Sequence, residues 1–315
     1  MLENDLNSRV AQRHPVINLI SILLVVALGF IIVGPFIGFF LALPFYPGNM
    51  QQMVEALQDP ASHPELKTPL YIMQGFATLI GLILAPALWM TRTQTSVIDF
   101  FKGHKFEWIP VIVTAMVVII FMAVNSVFIE WNSNFIFPEF AKGFETWARE
   151  REDAATELTT FLTKFESPGE LAIAILVIAV LPAIGEEIVF RGLIQNELYR
   201  GTKNIHVSIW VAAILFSAIH IQFFGFVPRL LLGALFGYLY YWSGNLTLAM
   251  LAHFVNNGIS VVAMYFYQQG AFDYDLESTE SLPASVVIIS ILMTGGLLYY
   301  FYKYFEHRKP SIPQS

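Results

Sequence analysis

The stretch Gly185-Glu186-Glu187-Ile188-Val189-Phe190-Arg191-Gly192 places two adjacent carboxylates and one guanidinium inside an apolar run that begins near Leu171. An ionisable side chain at bilayer depth costs roughly 3 kcal/mol on insertion scales and typically marks a functional position. On a helix, Glu187 and Arg191 stand at i and i+4 with the acid first, the favourable order for an ion pair. Glu186 points about 100° away from Glu187. Arg191 can therefore neutralise Glu187 and leave Glu186 free, unless all three side chains only lock neighbouring helices together.

The composition of the chain is that of a polytopic membrane protein. Of its 315 residues, 56% are hydrophobic and 13% are charged, whereas soluble domains carry about 25% charged residues. The formal charge of −7 gives no basis for nucleic-acid binding. The chain has no cysteine, which excludes disulfides, thiolate nucleophiles and cysteine-bound metals. The polar N-terminus is followed by an apolar run too long for a signal-peptide core, so we expect a retained first span.

Eight apolar runs of about membrane-spanning length predict an all-α fold, a polytopic membrane helical bundle of about eight transmembrane helices. The runs begin near Val16, Leu70, Ile109, Leu171, Val207, Leu230, Leu246 and Ala284. No repeat is evident, so we expect a single membrane domain over residues 1–315. With the N-terminus in the cytoplasm, ten Lys and Arg residues fall on the cytoplasmic side and six on the other. This bias favours a multi-pass protein with both termini in the cytoplasm.

The connection over residues 130–168 predicts a different kind of helix, an amphipathic one at the membrane interface. Its apolar residues recur at helical spacing, and they are Phe144, Trp147, Ala148, Ala155, Leu158, Phe161, Leu162 and Phe165. Its acidic residues are expected on the other faces, and they are Glu145, Glu150, Glu152, Asp153 and Glu157. Such a helix either packs on the spans as a surface element or acts as a gating lid.

Two histidines fall inside later apolar runs. His220 follows Phe216 by one helical turn, and His253 precedes Asn257 by one turn, so each pair shares a face. A single histidine in a span is often satisfied by a hydrogen bond to another helix. Three spans that each bring polar groups inward instead predict a common site containing Glu186 and both histidines, because such residues are rare in spans.

These side chains form a set that hydrolysis uses. A carboxylate in an apolar surround, with an imidazole nearby, can hold and deprotonate a water molecule, which assigns this role to Glu186 with His220. Attack on an amide carbonyl builds negative charge on its oxygen. His253 and the Asn257 amide are the candidate donors to that oxyanion, a contribution of roughly 3 kcal/mol to the barrier in known cases.

A zinc site is an alternative built from the same side chains. Two histidines and a glutamate are a known catalytic ligand set, here Glu186, His220 and His253. The usual His-Glu-x-x-His spacing of metalloproteases does not occur in this chain, and metal-free and zinc-assisted activation of water both remain open. A serine mechanism is weaker, since the serines in the spans lack a nucleophile-elbow context.

Two pairs of residues predict features of the backbone. Pro182 removes a backbone hydrogen bond and, with Gly185, is expected to loosen the helix just before the carboxylates. The loosening either lets water or substrate reach the backbone or is an ordinary proline kink. Gly233 and Gly237 form a small-xxx-small pair, which predicts close helix packing.

The ordered motifs resemble one known family. Glu186-Glu187-x-x-x-Arg191, Phe216-x-x-x-His220 and His253-x-x-x-Asn257, in successive membrane segments, are similar to those of the CPBP family. This family contains the CAAX proteases and bacteriocin-processing enzymes, and it is also called the Abi family or the type II CAAX prenyl endopeptidase-like proteins. The resemblance covers about residues 170–265, which we interpret as the catalytic core, and residues 1–169 carry no family motif.

The resemblance implies an all-helical intramembrane endopeptidase of about eight spans. It implies that Glu186 activates water with His220, that Glu187 pairs with Arg191, and that His253 and Asn257 act at the oxyanion. The family is often labelled metalloprotease, while a glutamate-dependent, metal-free mechanism has been argued for its prenyl-processing branch. The implied partners are the lipid bilayer and a peptide or protein substrate in or at the membrane, and the expected location is a bacterial plasma membrane.

Two alternatives from other classes stay open. In a proton-coupled transporter or channel, Glu186, His220 and His253 would relay protons. The lack of repeat symmetry between the two halves of the chain argues against this hypothesis. A catalytically inactive bacteriocin-immunity scaffold that has kept the motifs is the second alternative.

Overall fold

The computed structural model describes residues 13–92, 107–271 and 278–306, and the regular secondary structure of these residues is helical throughout. We number the longer helices along the chain. Their bounds are α1 Pro15–Phe45, α2 Met50–Ala56, α3 Pro64–Arg92, α4 Trp108–Ser133, α5 Lys142–Leu162, α6 Pro168–Thr202, α7 Ile205–Ala218, α8 Phe226–Ser243, α9 Leu246–Gln268 and α10 Ala284–Glu306.

The predicted helical membrane bundle is confirmed, and each of the eight apolar runs forms a helix. Within the described ranges, six helices are long and apolar enough to cross a bilayer: α1, α3, α4, α6, α9 and α10. The helix α7 has 14 residues, which at 1.5 Å per residue is about 21 Å, less than the ~30 Å hydrocarbon core. The helix α8 has 18 residues. The prediction of about eight full spans is therefore not confirmed for α7 and α8, which are not among those six helices.

The helix α6 lies at the centre of the bundle. Of its most apolar stretch, 56% is buried inside the protein, and the value for α9 is 44%. The corresponding stretches of α1 and α10 are only 17% and 22% buried, so their Leu, Ile and Phe side chains form an apolar outer surface of the kind that lipid covers. The first and third motifs, Glu186-Glu187-x-x-x-Arg191 and His253-x-x-x-Asn257, thus lie on the two most enclosed spans.

Two large hydrophobic clusters form the core around the motif residues. The first joins α1, α3, α6 and α7 through Ile22, Leu82, Phe190 and Phe216. The second joins α4, α8, α9 and α10 through residues that include Val117, Phe236, Ala249 and Phe301. Phe216 and Phe236, one from each cluster, both reach the motif residues, so the polar groups are held between two close-packed apolar regions.

The two carboxylates of the motif on α6 sit between two irregular stretches of the helix, and Arg191 lies within the second. Residues Ile175–Val180 and Ile188–Ile194 have π-helical hydrogen bonding, a distortion that is frequent at functional sites. Gly185 does not act as predicted: a Cβ atom there would lie 2.6 Å from the Cβ of Leu82 on α3. The glycine therefore allows α6 to pack closely on α3, and the predicted loosening of the helix is not its visible role.

Local sequence signals separate α7, α8 and α9. The Asn204 side chain accepts hydrogen bonds from the backbone amides of His206 and Val207 and so begins α7. The helix α8 ends at Gly244, whose φ of 66° is left-handed. The Asn245 side chain then caps the first turn of α9. These caps turn the chain sharply, so that α8 and α9 pack as neighbours beside α6.

The predicted amphipathic helix is α5, and one of its residues lies on an unexpected face. Glu145, which we expected on the polar face, is 5% exposed. It accepts hydrogen bonds from Arg149 at 2.9 Å and Lys142 at 3.2 Å. Phe144 and Trp147 each remain 44% exposed. The acidic face of α5 is thus partly neutralised within the helix, while an aromatic edge stays accessible.

The predicted orientation of the termini is not tested by the fold. Several cationic residues that carry that prediction, including Arg9, Lys102 and Arg308, lie outside the described residues. The single-domain prediction for residues 1–315 likewise stays a prediction.

Candidate active site

A buried ion pair forms the base of the site. On α6, Arg191 Nη1 donates to Glu187 Oε1 at 2.7 Å, and the two side chains are 1% and 0% exposed. Arg191 Nη2 donates to the backbone carbonyl of Gly233 at 2.8 Å. The rings of Phe216 and Phe236 lie 4.6 and 5.5 Å from the guanidinium carbon. A buried charge needs such partners because its desolvation is costly.

His253 on α9 is fixed by the same carboxylate. Its Nδ1 lies 2.8 Å from Glu187 Oε1, and its ring stacks on Phe236 at 5.3 Å between centroids. Because a carboxylate only accepts, Nδ1 carries the proton, and in the neutral ring Nε2 is then an acceptor. That Nε2 faces Glu186 Oε2 at 4.0 Å. Donation to an oxyanion, the role predicted for His253, would therefore require a doubly protonated ring.

Glu186 differs sharply from the neighbouring Glu187. Its side chain is 13% exposed, and its Oε2 is buried with no hydrogen-bond partner among the described residues. The 4.0 Å gap to His253 Nε2 is longer than a hydrogen bond and short enough for a bridging water. Glu187 is thus neutralised by Arg191, and Glu186 is left available to bind a water molecule, as the helical spacing predicts.

His220 lies just beyond the end of α7, in the turn that leads to α8. Its Nδ1 lies 2.9 Å from the backbone carbonyl of Phe216. The carbonyl only accepts, so Nδ1 carries the proton and Nε2 of the neutral ring is an acceptor. The next residue, Ile221, has a φ of 54°, which is strained for a β-branched side chain. The chain therefore reverses abruptly at His220 and keeps this half-buried ring within the bundle.

Phe216 connects the three motifs. Its ring centroid lies 5.4 Å from that of His220 and 5.8 Å from that of His253, and Arg191 sits on its face at 4.6 Å. The ring is 3% exposed. The Phe216 ring thus lies between the two imidazoles and covers the guanidinium of Arg191. This packing role could not be predicted from its position in the motif.

Asn257 ties α9 to the distorted part of α6. Its Nδ2 donates to the carbonyl of Ile178 at 3.2 Å, and its Oδ1 accepts from Asn256 at 3.0 Å. Ile178 belongs to the π-helical stretch before the carboxylates. A primary amide has two N–H groups, so one of them is left over after this contact.

The three side chains considered as zinc ligands do not form a ligand set in this structure. Among the described residues, no group of three or more His, Asp or Glu side chains is arranged to hold a metal ion. The imidazole and carboxylate groups have suitable chemistry, but Glu186, His220 and His253 are not gathered around one point. We derive no step through a metal, and the zinc alternative stays a prediction.

Several residues of the site escape sequence reasoning. The carbonyl of Gly233 and the ring of Phe236 complete the surroundings of the ion pair, and neither carries a chemical signal in the sequence. Arg229, on the first turn of α8, interacts electrostatically with Glu186. Its ionisable group at the start of an apolar run was the signal that could have identified it.

Fold and site together define a class of protein, namely helical membrane proteins whose central span carries a buried carboxylate–imidazole centre. Residues 168–259 match the family model of the type II CAAX prenyl endopeptidase Rce1-like proteins. The resemblance carried by the motifs is thereby confirmed. The matched region contains every motif residue from Glu186 to Asn257, and the residues before 168 lie outside it.

A curated relative is similar to part of the chain and adds no activity. Over 112 residues the chain is 29% identical to a Bacillus subtilis (strain 168) protein named "Uncharacterized protein YpbD". The alignment covers 34% of this chain and 54% of that protein, so the chain spans about half the length of the curated relative it matches. No solved structure matches the chain.

Proposed function

We propose that the chain is an intramembrane endopeptidase that hydrolyses a peptide bond of a membrane-associated protein or peptide. The observation that carries this proposal is the asymmetry of the acidic pair. Glu187 Oε1 accepts from Arg191 and His253, while Glu187 Oε2 and Glu186 Oε2 are both buried without a hydrogen-bond partner among the described residues. Of these two oxygens, Glu186 Oε2 is the one that lies 4.0 Å from Nε2 of His253. A packing role for the pair would leave no reason for a second, unsatisfied carboxylate.

In the proposed reaction, a water molecule is held between Glu186 and the free Nε2 of His253. The predicted action of His220 beside Glu186 stays a prediction. Glu186 removes a proton from this water, and the resulting hydroxide oxygen forms a bond to the carbonyl carbon of the substrate. The tetrahedral intermediate then breaks its C–N bond. The proton held by Glu186 passes to the leaving amine. The products are a carboxylic acid and an amine, and Glu186 is again a carboxylate.

We assign the oxyanion role to Asn257, whose amide keeps one N–H group after its contact with Ile178. His253 instead holds the water, because its protonated nitrogen is committed to Glu187. This division differs from the sequence-based hypothesis, in which both side chains stabilise the oxyanion. Preorganised donors at a developing charge are typically the largest single contribution to such catalysis.

The family match supports the protease class and a substrate at the membrane. We propose a peptide or protein substrate presented from the bilayer, in a bacterial plasma membrane. Prenylation of the substrate does not follow from the residues of this chain. Because the site lies among apolar spans, the segment that is cut must enter an environment poor in water, and an extended or helix-broken segment suits that requirement.

Quantitative peptidomics of membranes tests the proposal in cells. A deletion strain is complemented with the wild type or with Glu186→Ala, and the membrane peptides are compared. We expect one or a few cleaved products with the wild type, and the uncut precursors with the variant. Identical peptide profiles in the two strains would contradict the proposal. Proton flux through liposomes containing the pure protein, without any cleavage, would favour the transporter alternative.

Metal analysis of the purified protein separates the two hydrolytic alternatives. Zinc at about one atom per chain, lost in the double variant of His220 and His253 to Ala, would support a metalloendopeptidase. Full cleavage by a protein stripped with chelator and free of zinc would support activation of water by Glu186 without metal.

A further inference from the structure

A polar connection joins the surface helix α5 to the turn after His220 and to the first turn of α8. Gln222 Nε2 donates to Glu152 Oε1 at 3.2 Å. Arg229 Nη2 donates to Gln222 Oε1 at 3.0 Å. The glutamine therefore stands between an anion on the surface helix and a cation on α8, and the proposed hydrolysis uses none of these three side chains.

Both charged groups retain an unsatisfied atom. Arg229 Nη1 and Glu152 Oε2 are buried and have no hydrogen-bond partner among the described residues, and within this part of the chain no direct ion pair joins the two side chains. Burial raises the pKa of Glu152, an effect that the nearby Arg229 opposes. A buried guanidinium N–H without an acceptor is costly, and guanidinium binds carboxylates especially well because its N–H groups match their oxygens.

Arg229 is also linked to the proposed site, because its partner Gln222 lies two residues after His220. It interacts electrostatically with Glu152, Glu186 and His220. The guanidinium is thus placed between the surface helix and the carboxylate that is proposed to activate water. A cation at this position is available to an anionic group of a bound peptide close to the bond that is cut.

The turn that presents Arg229 is firmly held. Asn132 on α4 donates to the carbonyl of Phe223 at 3.1 Å and accepts from the amide of Val227 at 2.8 Å. A Cβ atom at Gly225 would lie 2.8 Å from Arg229 Nη2, so the glycine leaves room for the guanidinium. Because the surrounding backbone is fixed, binding at Arg229 requires little ordering of the protein.

We propose that Arg229 binds a carboxylate of the peptide substrate next to the scissile bond, and that Glu152 competes for Arg229 in the resting protein. This inference rests on the proposed peptidase function. The carboxylate is either the C-terminus of the peptide or an acidic side chain. In both cases Arg229 Nη1 gains an acceptor, and Glu152 opposes binding through repulsion between like charges.

Peptide binding to the full chain in nanodiscs tests the inference. Three pools of apolar peptides with random sequence are compared: free C-terminal acids, C-terminal amides, and amides that carry one internal aspartate. We expect the wild type to bind one carboxylate-bearing pool about tenfold or more tightly than the plain amides, as for a charged hydrogen bond. The pool that shows the preference identifies the source of the carboxylate.

Variants separate recognition from a structural role. Arg229→Gln is expected to lower the affinity for the preferred pool to that for the plain amides, and Arg229→Lys to restore part of the difference. Glu152→Gln is expected to raise the affinity for that pool several-fold. Arg149→Gln, on the same surface helix and stacked on Phe224, is the matched control and should keep the preference.

Two results would overturn the inference: equal binding of all three pools by the wild type, or a preference that survives in Arg229→Gln. The binding readout is independent of catalysis. A wild type that prefers carboxylates but cleaves no peptide would contradict the proposed function and leave recognition by Arg229 standing, so the two failures are distinguishable.

Discussion

At the scale of single residues, the site depends on two adjacent carboxylates that occupy different environments. Glu187 is neutralised by Arg191 and hydrogen-bonded to His253 through its Oε1, and Glu186 faces the other nitrogen of His253 at 4.0 Å. The Oε2 atoms of both carboxylates have no hydrogen-bond partner among the described residues. Enzymes commonly separate the roles of two carboxylates in this way, through environment alone. Adjacent residues on a helix point about 100° apart, and the two carboxylates face different nitrogens of His253, Glu187 facing Nδ1 and Glu186 facing Nε2.

The buried pair on α6 should be far more important for stability than a matching pair at the surface. Arg191→Met leaves Glu187 as a buried charge, and removing one partner of such a pair typically costs about 3–5 kcal/mol. Glu145 and Arg149 form the same i,i+4 pair on α5, with Arg149 44% exposed. We expect a much smaller loss from Arg149→Met. Unfolding of the two variants in detergent checks this, and equal losses would contradict it.

Part of this residue-scale chemistry could be read from the sequence. The spacing of Glu187 and Arg191 predicts their contact, and the rarity of ionisable groups in spans predicts their importance. The protonated nitrogens of the two imidazoles could not be predicted. That of His253 is set by Glu187, which becomes a neighbour only when α6 and α9 pack. That of His220 is set by the Phe216 carbonyl one turn earlier, a contact that depends on how α7 ends.

At the scale of the elements, the short length of α7 determines where His220 lies along the bundle. A full-length span would carry His220 to the far face of the membrane. With 14 residues, α7 ends early, and the strained turn at Ile221 returns the chain as α8. Apolar runs identify helices well but not their ends, because caps and tertiary packing decide where each helix stops.

Close packing of α6 on α3 gives a second prediction. Gly185→Ala places a methyl group 2.6 Å from the Cβ of Leu82, and overpacking of this kind typically costs about 1–3 kcal/mol. Gly295→Ala on α10 meets nothing within 4 Å and serves as the control. We expect a lower melting temperature only for Gly185→Ala. An unchanged melting temperature would show that Gly185 is not required for this packing.

The stability of the surface helix α5 should depend on pH. Hydrogen bonds from Arg149 and Lys142 lower the pKa of Glu145. Because its folded pKa is below its unfolded value, the stabilisation is fully present above the unfolded pKa and is lost as the pH falls through the lower folded value. Hydrogen exchange of α5, corrected for intrinsic rates, should therefore accelerate in acid, and Glu145→Gln should remove that dependence. Protection that is the same at neutral and acidic pH would contradict it.

The position of Glu145 also shows a limit of helical periodicity. An acidic residue is normally expected to face solvent, yet here two cations of the same helix and the Phe137 amide satisfy it. A pattern of apolar and polar letters cannot distinguish a solvated carboxylate from one enclosed by its neighbours. The link from Glu152 through Gln222 to Arg229 could not be predicted from the sequence either, because Gln222 lies 70 residues from Glu152 in the chain.

At the scale of the whole molecule, the enclosure of α6 and α9 within a lipid-facing outer layer explains why the chemistry is concentrated there. The composition predicts a helical membrane bundle, because apolar spans must satisfy their backbone internally. It could not predict that two hydrophobic clusters meet at Phe216 and Phe236 around the polar centre. That meeting is a consequence of tertiary packing.

The central claim is that Glu186 activates the water that cuts the peptide bond. The most direct measurement is the single-turnover cleavage rate of one identified peptide by purified wild type, Glu186→Gln and the surface control Glu166→Gln. General-base catalysis typically contributes about 10²–10⁴-fold, so Glu186→Gln should lose activity by that factor while Glu166→Gln cleaves at the wild-type rate. Cleavage by a folded Glu186→Gln protein at the wild-type rate would contradict the account.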